Sequence, residues 1–273
     1  MEMLMGVCRR VYHDYLRPDQ TRHYAGLLKL AVQNDYEFET VSSFEQVIRD
    51  GLQPQKRYCI LRRDVDTKAL PVLRRMLQAE ISCGARCTYF FRDITLDLPL
   101  VEQITAAGGE VSYHYEEMAA YALAHRVRNV EQLRAAMPEI REMFVKDIAA
   151  FRKQTGCACT AVASHGDFIN RKLHCANTEI MESMEFRNCC GIEREAYDNE
   201  QMRYVTCRIA DQSSPNFVEE AAAAIRRREP VLYLLTHPRQ WGADWYANAR
   251  EDIRRVYRGA AMRRTEISAE EGF

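Results

Sequence analysis

The chain has 273 residues, 47% of them apolar and 28% charged, and a formal net charge of -1. This is the balance of a globular protein with a real core, and it offers little to a nucleic-acid polyanion or an anionic membrane surface. No apolar run approaches the roughly 20 residues of a membrane span, and "MEMLMGVCRRVYHDY" has too short an apolar stretch for a signal peptide, so a cytoplasmic address is expected.

Taken in chain order, residues 19 to 34 read as a helix, with Asp19 as candidate cap and Tyr24, Leu27, Leu28 and Ala31 as its apolar stripe. "YEFETVSSFEQVI" predicts a short strand and a helix. "YCILRRDVDTKAL" begins as a buried strand, and the helix after it carries Leu70, Leu73, Met76 and Leu77 at helical spacing. "RCTYFF" is a strand, "LPLVEQITAAGG" a helix stopped by Gly108-Gly109, and "EVSYHYE" a strand. Val130 to Thr155 is helical, interrupted at Pro138 and closed by Gly156. "CACTAVASHG" is a strand, a helical stretch follows near Asn177 to Met184, and "RYVTCRIAD" is a further strand. "NFVEEAAAAIRRR" is a helix, "PVLYLLTHP" a strongly apolar strand and "ADWYANAREDIRRVYRGAAMRR" a final helix. Strand and helix alternate with no linker between them. That pattern predicts one parallel α/β domain, barrel or doubly wound.

The ten cysteines show no recurring CxxC: Cys83 and Cys87 are four apart, Cys157 and Cys159 two apart, and Cys189-Cys190 adjacent. They are expected to act as small core hydrophobes rather than as a zinc set or disulfides.

The strand ends are more informative. Along a strand, Ile60, Arg62, Asp64 and Asp66 share one face, and Cys59, Leu61, Arg63 and Val65 the other. Two carboxylates aimed into one space repel unless a cation or a proton lies between them. The bland alternative is a strand running into a polar turn, with Asp66 capping the next helix. His114 and Glu116, His165, Asp211 and His237 close four other strands, and in parallel α/β folds those ends converge on the site. Together the histidines and the acidic pair compose a His/Asp site for a borderline divalent metal. His13, His23, His125 and His174 read as surface residues.

"LRRDVD", "RCTYFF", "VSYHYE", "ASHG" and "LLTHPRQW" occur in the order and spacing of the polysaccharide deacetylase-like (NodB-like) superfamily. The chain resembles most its cytoplasmic subgroup, whose usual signature is His-Asp-Val-Asp, and the resemblance runs from about Tyr24 to Trp241. It implies a distorted (β/α) barrel, usually of seven strands, and metal-dependent removal of an N- or O-acetyl group from a sugar. Residues 1–273 are then one catalytic domain, with 1–55 a helical and strand segment leading into the barrel. By the resemblance, Asp64 is the general base, Asp66, His114 and His165 hold the metal, and His237 is the general acid. The metal is expected to be Zn²⁺, with Ni²⁺, Co²⁺ or Mn²⁺ as alternatives. Met118 stands where many members have a second histidine, and Arg63 where the subgroup has His. Arg62, Glu116 and Asp211 are candidate supporting residues. The plainer expectation for Arg62 is a solvated side chain, and for Asp211 a turn cap.

Two rivals compete. "DVDTK" also fits the nucleophile motif of haloacid-dehalogenase-like phosphatases, with Asp64 as nucleophile, but Arg171 replaces that family's late acid and three histidines are left without roles. A catalytically silent, saccharide-binding barrel is the other. The expected partner is a small-molecule or oligosaccharide substrate, a nucleotide- or lipid-linked sugar ahead of a wall polymer. No feature specifies an oligomeric state.

Overall fold

The computed structural model describes residues 15–254 and 256. The signal-peptide question and His13 lie outside the described residues, as does the end of the last predicted helix.

The fold opens with α1 (Thr21–Gln33), β1 (Tyr36–Glu39), α2 (Val41–Asp50) and β2 (Arg57–Val65). Next come α3 (Leu70–Cys83), β3 (Thr88–Phe91), α4 (Leu98–Ala106) and β4 (Glu110–Tyr115). The middle of the chain supplies α5 (Glu117–Ala124), α6 (Val130–Ala135), α7 (Met137–Thr155), β5 (Ala161–Ser164), α8 (Phe168–Leu173) and α9 (Met184–Cys190). The last third runs through β6 (Arg194–Glu195), α10 (Asn199–Met202), β7 (Cys207–Ala210), α11 (Phe217–Arg226) and β8 (Val231–Thr236) to a helix over residues 245–254.

Every ladder is parallel, and the continuous order is β6-β5-β4-β3-β2-β8-β7. These seven strands are joined by β1, which pairs with residues 57–60 of β2, while β3 pairs with residues 62–65 on the same strand. The sheet is strongly curled. Ala161 and Ala163 of β5 share one inner cluster with Tyr58, Ile60, Phe90, Val231, Tyr233 and Leu235, although β4, β3 and β2 separate β5 from β8. Only a sheet bent toward closure brings those faces together. Val41 and Phe44 of α2 fill the same interior, each burying apolar surface worth about 1.5–3 kcal/mol. The architecture is a distorted, open β/α barrel.

Helices cover the outside. Their apolar faces meet the outward residues of the strands, among them Cys59, Leu61 and Val65 of β2, in a second and larger core. Local signals place the boundaries. Thr40 and Ser43 form a reciprocal cap at the start of α2. Pro138 lies in the first turn of α7, so the predicted interruption is the gap between α6 and α7, and Gly156 closes α7 in the left-handed region at φ 69°. A Cβ at Gly109 would sit 2.8 Å from Ile104 Cγ2 and 3.2 Å from the Cys87 carbonyl, so β4 can enter there only through glycine.

Some expectations need correction. Asp19 accepts from Thr21 N and Oγ1, but the cap position itself is Gln20. Asp66 does not cap α3, whose cap position is Ala69. Strand β6 has two residues and α8 six, both too short to leave a periodic signal. All nine cysteines among the described residues are free thiols, five of them buried.

Candidate active site

Alternation along β2 decides the site. Arg62 and Asp64 point into the barrel, and Arg63 points out between α1 and α3. Arg62 is not a solvated side chain: it is fully buried and donates Nε and Nη2 to the two oxygens of Asp64, at 2.7 and 2.8 Å. The rings of Phe90 and Tyr197 flank its guanidinium at 5.2 and 4.4 Å. Burial by itself pushes the Asp64 carboxyl up, yet Arg62, followed by His114, holds it below the usual carboxylate range. Asp64 is therefore an anion at neutral pH.

Arg63 is equally buried and belongs to a separate network. Its Nη1 donates to Glu80 at 2.6 Å and to the Tyr89 hydroxyl at 2.7 Å, and Tyr24 donates to the same Glu80 oxygen at 2.6 Å. It does not touch the site. The position where the resemblance expects His therefore falls in the helix-strand layer.

Beyond the end of β2, Asp66 meets two imidazoles. Its Oδ1 lies 3.2 Å from His114 Nε2 and 3.7 Å from His165 Nε2. His114 Nδ1 is 2.9 Å from the Ala163 carbonyl, an acceptor only, so Nδ1 carries the hydrogen and a neutral His114 presents a bare Nε2 to Asp66. Two lone pairs at 3.2 Å repel unless something positive lies between them. Asp66 Oδ1 is buried and has no hydrogen-bond partner of good geometry. Ligand atoms around a tetrahedral Zn²⁺, with bonds of about 2.0–2.2 Å, lie about 3.3–3.6 Å apart. The two spacings measured from Asp66, 3.2 and 3.7 Å, lie just outside the two ends of that range. Burial pushes the Asp66 carboxyl up, but His114, His165 and His237 together hold it well below its ordinary range.

His165 presents its other nitrogen, Nδ1, to Glu116 Oε2 at 3.3 Å. Glu116, His165 and Asp167 each place one ligand atom within 4.8 Å of the others, the one three-ligand group this compact among the described residues. Asp167 also accepts from Ile169 N at the start of α8. Met118 is fully buried in the outer core, where the fourth position after His114 turns away from the barrel mouth.

His237 follows β8. Asp211, from the end of β7, accepts from His237 N and faces His237 Nδ1, both at 2.7 Å, and also accepts from Trp241 Nε1 at 2.9 Å. Asp211 thus orients His237 rather than merely closing a turn. Burial would lower the His237 pKa, but Asp211, followed by Asp66 and Asp64, raises it to about 9. His237 Nε2 lies 3.9 Å from Asp64 Oδ2. Asp66 and His237 line a cleft of about 780 Å³, rimmed by Arg17, His23, Asn216 and Trp241.

The barrel mouth therefore gathers Asp64, Asp66, His114, His165 and His237, with Arg62, Glu116 and Asp211 behind them. Three solved structures are comparable, two of them described as a CE4 family pseudoenzyme or its mutant. The chain is 15% identical to the CE4 family pseudoenzyme BA3943 from Bacillus anthracis, covering 81% of this chain and 63% of that one at a TM-score of 0.45. A BA3943 mutant described as having restored enzymatic activity gives 15% identity, 68% and 58% coverage and a TM-score of 0.43. IcaB from Ammonifex degensii gives 14% identity, 66% and 78% coverage and a TM-score of 0.43. The chain thus spans under two thirds of the length of both BA3943 structures. No family model matches the chain, and no curated protein matches it in sequence.

Three supporting groups leave no signal in the sequence. Arg92, at the end of β3, is fully buried and binds Glu116. Glu251, on the last helix, pairs with Arg92 at 3.2 Å. Glu195 of β6 holds the neighbouring loops by accepting from Ser164 N and Tyr197 N. A lone arginine after "TYFF" and acids far along the chain carry no diagnostic spacing. Among the described residues, no helix is long and apolar enough to cross a membrane.

Proposed function

We propose that the chain is a metal-dependent hydrolase of the polysaccharide deacetylase-like superfamily, one catalytic domain that removes an acetyl group from an acetylated sugar or sugar precursor. The observation that carries this reading is the Asp66–His114 contact, in which a carboxylate oxygen and a bare imidazole nitrogen face each other at 3.2 Å beside His165. Asp66, His114 and His165 would hold a divalent cation, Zn²⁺ by donor type. When bound there, such an ion polarises the acetyl carbonyl and acidifies water.

The chain's own groups supply the proton traffic. Asp64, kept anionic by Arg62, accepts the proton of the attacking water. His237, kept cationic by Asp211, donates from Nε2 to the amine as the C–N bond breaks. An anionic base and a cationic acid 3.9 Å apart at one mouth suit amide hydrolysis near neutral pH. The open cleft beside Asp66 and His237 suits a sugar carrying a further group, such as a nucleotide- or lipid-linked precursor.

The phosphatase reading fares worse. It leaves His114, His165 and His237, which stand at the same mouth, without roles. A silent saccharide-binding barrel predicts no turnover. The test is metal analysis of the purified chain, together with a screen of N-acetyl sugars and sugar nucleotides for released acetate. Metal uptake with acetate release supports the proposal, and a trapped aspartyl-phosphate on Asp64 would replace it with the phosphatase.

A further inference from the structure

Arg92 lies behind the candidate metal centre and reaches it on two sides. It leaves the end of β3 fully buried, and its two terminal nitrogens divide their work. Nη2 donates to both oxygens of Glu116, at 3.0 and 2.7 Å, and Glu116 faces His165 Nδ1 at 3.3 Å. Nη1 donates to the backbone carbonyl of Asp66 at 3.1 Å and to Glu251 Oε1 at 3.2 Å. One rigid guanidinium therefore holds the backbone of one proposed ligand and the carboxylate that faces another. Its own base is fixed as well: Arg92 N donates to Thr95 Oγ1 at 3.1 Å, and that hydroxyl reaches the Val65 carbonyl at 2.8 Å.

We infer that Arg92 is a positioning residue for the Asp66 and His165 side chains, with Glu251 of the last helix as its distal anchor. The inference rests on the metal-dependent reading above and deepens it. Glu116 Oε2 stands 3.3 Å from His165 Nδ1, which is buried without a hydrogen-bond partner of good geometry, so the carboxylate bounds the ring by contact and charge while Nε2 faces Asp66. Arg92 keeps Glu116 in place for that task. A lysine cannot do this, because its single ammonium has no fork to span Glu116 and the Asp66 carbonyl together. Glu251 lies 159 residues from Arg92 in the chain, so the last helix is wired to the metal centre through one side chain.

The test measures Zn²⁺ affinity of the full chain by competition with a chromophoric chelator, beside the melting temperature of the metal-free protein. Arg92→Lys is expected to weaken Zn²⁺ binding about 10–100-fold, the usual scale for outer groups of a metal site. Glu251→Gln, which leaves Glu116 as the counter-charge of Arg92, is expected to weaken it by a smaller factor. It carries the test if Arg92→Lys does not fold. A purely structural salt bridge would lower the metal-free melting temperature and leave Zn²⁺ affinity at the wild-type value, and that result overturns the inference. A wild-type chain that takes up no divalent ion overturns the reading beneath it and the inference together.

Discussion

Asp66 Oδ1 and His114 Nε2 face each other at 3.2 Å as two acceptors, because the Ala163 carbonyl holds the only hydrogen of a neutral His114 on the opposite side of the ring. Such a contact needs a positive charge between its partners. Adding Zn²⁺ to metal-free protein should raise the melting temperature by several degrees, since a ligand at a thousand times its Kd stabilises the native state by about 4 kcal/mol. Asp66→Ala and His114→Ala should fold and show no such rise. A zinc-dependent rise that survives both changes would place the ion elsewhere.

Replacing Asp64 with Asn should lower turnover by about 10²–10⁴-fold while Zn²⁺ binding stays near wild type. The shape is kept and the proton acceptor is lost. Near-normal turnover would exclude Asp64 as the base.

Arg62 is the main charge holding the Asp64 carboxyl down, so Arg62→Met should move the acid limb of the pH–rate profile upward. The sign follows from linkage. A depressed folded pKa stabilises the native state above the unfolded value near 3.9, and that contribution is lost as pH falls through the folded value. The variant loses this contribution and should be less stable at neutral pH than at acid pH, relative to wild type. An acid limb that does not move would disconnect Arg62 from the base.

His237 should set the alkaline limb. With its pKa raised to about 9, the imidazolium persists through neutral pH, and its contribution to stability is complete below about 6.5 and lost as pH rises through about 9. Asp211→Asn removes the largest upward influence and should bring the alkaline limb down toward neutrality. Profiles of kcat/KM against pH for wild type and variant test this, and coincident alkaline limbs would refute the assignment.

Glu117 offers a control outside the proposed chemistry. It is buried beside Tyr113, whose hydroxyl donates to it at 2.8 Å, and burial raises its pKa to about 8. The folded chain keeps a proton that the unfolded chain releases above about 4.5, so stability falls with rising pH from about 4.5 to about 8. Denaturation curves of Glu117→Gln at a series of pH values should lack this fall, and an unchanged slope would show that Glu117 is ionised in the native state.

Much of this arrangement was legible because a strand has a period of two. The alternation of "ILRRDVD" placed Arg62 and Asp64 together and sent Arg63 outward, as the structure has them. The rule that strand ends converge brought His114, His165 and His237 to one mouth with Asp211 among them, and the structure adds that Asp211 pairs with His237. Burial was harder to read. An arginine at a strand end looks solvated, and it takes the rings of Phe90 and Tyr197 and the carboxylate of Asp64 to make Arg62 an interior residue. Arg92 and Glu251 were invisible for another reason, since their meaning lies in contacts far apart in the chain. The two-residue β6 left no pattern at all, yet it seats Glu195 and leads into Tyr197 beside Arg62.

The adjacent arginines of β2 have a consequence for how the chain avoids misfolding. Each is matched to a carboxylate on its own side, Arg62 to Asp64 within the barrel and Arg63 to Glu80 outside it. If β2 slipped by one position against β3 and β8, Asp64 would enter the apolar outer layer and Val65 would turn inward. Arg62 would be carried outward together with Asp64, away from the Phe90 and Tyr197 rings, and Arg63 would leave Glu80, a broken buried pair that costs about 3–5 kcal/mol. An apolar strand tolerates such slips far more readily. The charges of β2 therefore act as a key for strand assembly, and a misaligned barrel is rejected before any cleft can form.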